Sequence, residues 1–173
     1  NFKEWTADEL KHVTPPIAKK AVSKVAVFFI LLWTAIWGTI YFNANKIVAI
    51  YENTGDGLQF VMPALNQDVL EMFWPAVSLI LLLEVIFALY KLIVGEWTKR
   101  LAIFNVILQV FATIVFIIMI VNKDIINVDF VEYMADIFTM SASKFNASFI
   151  SGLILVFVIS AISSIYDGFK KSK

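Results

Sequence analysis

No cysteine occurs in the chain, which excludes disulfides, thiolate metal sites, iron–sulfur clusters and a cysteine nucleophile, and leaves the redox compartment unread. Histidine occurs once, as His12 in a polar arm, where ordinary solvent exposure is the expectation. Charge is scarce as well: 16% of the 173 residues are charged, and the formal net charge is zero. No global field therefore draws the chain to nucleic acid. No HExxH, no GxSxG elbow, no phosphate-cradling glycine loop and no pair of carboxylates within one apolar span occurs, so nothing in the sequence points to an enzyme or a cofactor. The expectation is a non-enzymatic protein with no metal and no cofactor.

What the chain has in excess is apolar residues. They make up 60% of it, with a mean hydropathy of +0.81, whereas soluble domains average ~45–50%. The apolar residues also gather into uninterrupted runs. The fold class expected is an all-α membrane protein: a four-helix transmembrane bundle with a short extracellular β-hairpin and an amphipathic interfacial helix.

The run organising this reading is 73–95, FWPAVSLILLLEVIFALYKLIVG. At 1.5 Å per residue, ~20 residues cross a hydrocarbon core of ~30 Å. Glu84 falls near the middle of the run, where an acid costs roughly 2.5–3.5 kcal/mol on insertion scales and should face other helices or a wet cavity. Lys91 is seven residues on, on nearly the same face but ~10 Å away, and can instead snorkel to the headgroups. Gln109, on the next span, should lie at a similar depth. Three roles for Glu84 stay open: a hydrogen bond to Gln109, a proton- or cation-binding carboxylate in a transport path, and a ligand or lipid contact. Asn105 is expected to hydrogen-bond between helices.

In chain order, residues 1–16 form a cytoplasmic arm, in which Thr6 and Glu9 have capping-box spacing and Pro15 and Pro16 interrupt a helix. Residues 17–42 are the first span, with Lys19, Lys20 and Lys24 at the headgroup side and Trp37 and Tyr41 at the far interface. An outer loop follows over 43–72, in which IVAIYE and LQFVMP flank Asn53-Thr54-Gly55-Asp56-Gly57. That pattern predicts a hairpin on the membrane surface, with an irregular loop as the alternative. Asn66 can cap a helical turn leading into the second span, 73–95. A connection of a few residues returns the chain antiparallel into the third span, 100–121. Residues 124–141 predict an amphipathic helix whose apolar positions are Phe130, Met134, Ile137 and Phe138, with Asp129, Glu132 and Asp136 opposite. The fourth span is 145–166, and 167–173 is a basic tail. Small residues spaced by four at Thr34/Gly38, Ala147/Ser151, Ser148/Gly152 and Ser160/Ser164 mark close helix packing or dimer contacts.

Lysine and arginine set the orientation. Lys3, Lys11, Lys19, Lys20, Lys24, Lys91, Lys99, Arg100, Lys170, Lys171 and Lys173 fall on one side, against Lys46, Lys123 and Lys144 on the other. By the positive-inside rule the protein sits in the cell membrane as a multi-pass protein with both termini cytoplasmic. The opposite face carries an acidic cap, Glu52, Asp56, Asp129, Glu132 and Asp136, without a calcium-loop spacing. The first residue is Asn1, and 1–13 has no apolar signal-peptide core. This raises the expectation that an upstream segment, up to a whole domain, has been removed.

Trp97, Thr98, Leu101, Ala102 and Ile103 form a W-T-x-x-L-A-I stretch opening the third span, and Asp129-Phe130-Val131 follows that span. In these features, about a third of the chain resembles the membrane part of uncharacterised bacterial proteins of the Firmicutes that carry an N-terminal HAAS signalling domain. The resemblance implies a cytoplasmic helical domain upstream and a role in signalling or regulation; it supplies no catalytic residues. This chain departs from the pattern in not containing that domain.

The function expected is sensory, regulatory or partner-binding, with the acidic cap receiving an outside ligand. The alternative is a small proton- or cation-coupled transporter or channel subunit using Glu84. A third class is a membrane chaperone or immunity-like protein that shields a partner. Expected partners are the lipid bilayer and either a second copy of the chain or another membrane protein.

Overall fold

A computed structural model describes residues 21–173. The expectations for the arm, including Thr6, Glu9, His12, Pro15 and Pro16, and for the first residues of the first span lie outside the described residues. Among the described residues, four helices are long and apolar enough to cross a membrane: α1 (Lys24–Phe42), α4 (Trp74–Val94), α5 (Lys99–Ile120) and α7 (Ala142–Ser172).

Their ends are written in short polar signals. The Ser23 hydroxyl accepts from the Ala26 amide and begins α1. Thr98 does the same for Leu101 at the start of α5, and Ser141 for Lys144 at the start of α7. Gly95 ends α4 at φ 77°, a left-handed conformation that glycine adopts without strain. The chain before α1 is extended and pairs with this turn through the Val22 amide on the Gly95 carbonyl, 2.9 Å. The last helix differs most from expectation. It begins at Ala142 and runs through Gly168 to Ser172, so the basic tail expected at 167–173 continues the helix as far as Ser172. Gly168 does not break it because the missing side chain is useful there: a Cβ would stand 3.1 Å from Trp97 Cζ3 and 3.4 Å from Asn105 Nδ2.

At one end of the row sits a small cap built from the two long connections. The first contributes α2 (Ala44–Ile47), the hairpin β1 (Ala49–Asn53) and β2 (Leu58–Pro63), and α3 (Gln67–Met72). The strands are antiparallel, with Tyr51 opposite Phe60 and a bulge between Ile50 and Tyr51. The second connection contributes α6 (Val128–Ile137). Its buried face is Phe130, Val131 and Ala135, whereas Ile137 and Phe138 are more than half exposed. The apolar stripe is thus rotated from the expected one, because α6 packs on β2 and α7 and those partners meet the face that carries Phe130, Val131 and Ala135. Asn127 locks the cap: its side chain caps α6 through the Asp129 amide and donates to the Pro63 carbonyl at 2.9 Å. Gln67 serves the C-terminal end of α1, donating to the Tyr41 and Phe42 carbonyls while accepting from the Asn45 amide.

The largest buried apolar cluster lies in and beneath this cap, from Tyr41 and Ala44 through Leu70, Val77 and Ile126 to Phe145. The four long helices form an open row. α1 packs on α4, α4 on α5 and α5 on α7, while α1 and α7 share no extensive packing. Their outward faces carry Phe28, Leu32, Leu82, Ile86, Ile107, Ile114, Leu155 and Ile159, all exposed. A band of that extent calls for an apolar surrounding and is compatible with a multi-pass membrane protein.

Candidate functional site

The concave side of the row encloses a cavity of about 850 Å³, within the ~300–1,000 Å³ typical of small-molecule sites. Its walls come from all four long helices, and each contributes polar groups at helical spacing. From α4 come Glu84 and Lys91, seven residues apart; from α5 come Asn105, Gln109 and Thr113, at intervals of four. Thr34 on α1, and Ser160 and Ser164 on α7, complete the set. Spacings of four and seven return a helix to nearly the same face, so these residues form lengthwise polar stripes between aromatic and aliphatic walls. The four intramembrane candidates of the sequence are thereby brought into one space.

Their individual geometry is uneven. Asn105 is 3% exposed and makes the interhelical contact, its Nδ2 donating to the Ser164 carbonyl at 3.1 Å and to Ser164 Oγ at 3.2 Å. Gln109 and Glu84 line the cavity without the hydrogen bond to one another that their equal depth suggested; both are half-buried. Lys91 does not snorkel outward. It is 6% exposed, and its Nζ lies 4.8 Å from the Phe87 ring centre and 5.3 Å from that of Trp97. Helical side chains lean toward the N-terminal end of their helix, which carries the Lys91 ammonium toward Phe87 and Glu84. The two rings supply negative π-faces worth roughly 0.5–2 kcal/mol each to a cation. Lys91 is also one of the residues that line the cavity.

Two boundaries of the cavity matter for access. Toward the cap it is roofed by Ala44, Leu70, Ile125 and Ile126, all buried. On its flank, Phe29 and Trp33 of α1 and Val156 of α7 line it while remaining 60–63% exposed. Among the described residues the mouth is therefore lateral, between α1 and α7.

The acidic residues of the cap are arranged differently. Glu52 and Asp56 sit on the exposed hairpin, and Asp129, Glu132 and Asp136 lie on the exposed face of α6. Among the described residues no three acidic or histidine side chains converge as metal ligands would. Sequence reasoning passed over Thr113 and noted Thr34, Ser160 and Ser164 only as small packing residues. The signal that finds them is register: Thr113 continues the four-residue stripe begun by Asn105 and Gln109. Comparison with protein-family models, with curated proteins and with solved structures finds no match to this chain.

Proposed function

We propose that the protein is a non-enzymatic integral membrane protein of the sensory or regulatory kind, with both termini cytoplasmic, whose input is a ligand bound in the cavity between α1, α4, α5 and α7. The observation that carries this is the convergence of polar stripes from all four helices on one space. The groups there are one carboxylate, one ammonium, amides and hydroxyls, a set suited to recognising a ligand by charge and hydrogen bonding. Polar side chains in apolar helices are expensive and mark sites by default. The open row supplies the responsive element, because a ligand bridging α1 and α7 contacts two helices that share no extensive packing along their length. The signalling role implied by the HAAS-type resemblance is proposed with it, and the acidic cap is assigned to partner contact.

The absence of cysteine makes the test direct. Spin labels at Ile36→Cys and Ile159→Cys, both on exposed faces, report the α1–α7 distance in nanodiscs. Decyltrimethylammonium, decanoate and dodecylphosphocholine are added in turn. The expected result is that at least one narrows or shifts the distance distribution. A distribution and a melting temperature unmoved by all three would sink the proposal.

A second reading, a proton- or cation-coupled transporter, is favoured by one observation: cavity-lining polar groups extend from Lys91 past mid-helix Glu84 to Thr113 and Thr34. It requires gradient-driven uptake of a cationic dye into proteoliposomes that Glu84→Gln abolishes.

A further inference from the structure

Resting on the cavity as a ligand site, the geometry points to its occupant: we infer that it is one phospholipid with an ammonium-bearing head, seated between Glu84 and Lys91, its acyl chains leaving between α1 and α7. Three observations lead there. First, the mouth is bordered by Phe29, Trp33 and Val156, all exposed on the apolar outer face, while the cap end is roofed by buried side chains. A ligand arriving through the mouth comes from the bilayer and can leave its apolar part there.

Second, the two charges on the wall are opposite and lie on one face of α4, the Lys91 ammonium leaning over Phe87 toward Glu84. A head in which an ammonium and a phosphate are four bonds apart carries its own opposite charges ~5 Å apart, each able to make a charge-assisted hydrogen bond. A zwitterion of this kind meets both groups at once, whereas a purely anionic head leaves Glu84 facing like charge and a simple cation leaves Lys91 so.

Third, Lys91 lies three residues from the end of α4 and Glu84 at its middle. A phosphate on the Lys91 ammonium, which lies beside Phe87, therefore sits between the helix end and its middle, and the ammonium of the head reaches inward from it. Ser160 on the facing α7, which lines the cavity and is exposed, can donate to a remaining phosphate or glycerol oxygen.

The test is native mass spectrometry of the intact chain released from detergent with phosphatidylethanolamine or phosphatidylglycerol at equal ratio. The expected result is one retained equivalent of phosphatidylethanolamine at a level at least tenfold above phosphatidylglycerol. Glu84→Gln and Lys91→Gln should each reduce that retention about tenfold, and Asp68→Asn, exposed on α3, should not. Ser160→Leu, which narrows the mouth without touching either charge, provides a second variant and should also lower retention. Equal retention of both lipids, unchanged by the variants, would mean ordinary surrounding lipid and overturn the inference. The underlying reading is separated by melting curves with decyltrimethylammonium, decanoate and dodecylphosphocholine. If one of these stabilises the wild type but not Ser160→Leu while no phospholipid is retained selectively, the cavity binds small amphiphiles and only the lipid assignment fails. If neither lipids nor amphiphiles bind, both fail.

Discussion

Replacing Lys91 by methionine should make the protein more stable and deaf to its ligand. Lys91 is 6% exposed and holds its ammonium 4.8 Å and 5.3 Å from two ring centres. The substitution loses those two contacts, roughly 0.5–2 kcal/mol each. It also relieves the desolvation of a buried charge, which after relaxation is still several kcal/mol per ion. Methionine has nearly the same length and shape, so no void opens and the sulfur keeps favourable contact with the rings. Glu84 loses a countercharge two turns away, which trims the gain. The net expectation is a stabilisation of about 1–3 kcal/mol by analogy with buried charges replaced by apolar isosteres. At ~2–4 °C per kcal/mol for a chain of this size, the melting temperature should rise by about 2–12 °C. Far-UV circular dichroism melts in a single detergent read this directly, with Lys91→Ala alongside, which opens a void and should melt lower than Lys91→Met. The distance response of α1 and α7 to amphiphiles should vanish in the methionine variant, a stability–activity trade-off at a functional residue. A fall in melting temperature for Lys91→Met, with the response intact, would refute the reasoning and make Lys91 a structural anchor.

Asn105→Leu removes the hydrogen bonds to Ser164 and should destabilise the α5–α7 contact by about 1–2 kcal/mol, seen as a lower melting temperature. Gly168→Leu should displace Trp97 from its place beside Gly168, giving an altered tryptophan emission and a lower melting temperature; an unchanged spectrum would count against the packing described. Asn127→Ala deletes an N-cap and the bond to Pro63, together about 2 kcal/mol, and should speed amide exchange in α6 and β2 while leaving the centres of α4 and α5 protected.

The long helices were legible because length and apolarity alone define them, and α4 and α5 were bounded to within a residue by Gly95 and Thr98. The hairpin was legible from two β-prone runs around a glycine pair. The end of α7 was not, since Tyr166-Asp167-Gly168 looks like a stop in one dimension. Only the approach of Trp97 from another helix gives that glycine a reason to stay helical. The face of α6 was misjudged for the same reason: amphipathic spacing admits two neighbouring stripes, and the partner surface selects the one with Val131 and Ala135. At the site, Glu84, Lys91, Asn105 and Gln109 stood out as polar residues in apolar runs. That they share a cavity, and that Lys91 turns inward onto Phe87 and Trp97, depends on how four helices are set in a row, which periodicity does not encode.

The cap has a consequence for how the chain comes together. Its buried cluster draws on Tyr41 at one extreme and Phe145 at the other, with pieces of both long connections between them. During synthesis these arrive over more than a hundred residues, so the cluster cannot close until the last long helix has begun to emerge. Before that, α4 and α5 are joined by a short turn, while α1 and α7 await the residues that will hold them at the far ends of the row. The cap is in this sense a clasp fastened late, and substitutions that loosen it should surface as a defect in assembly and yield before they alter the finished protein.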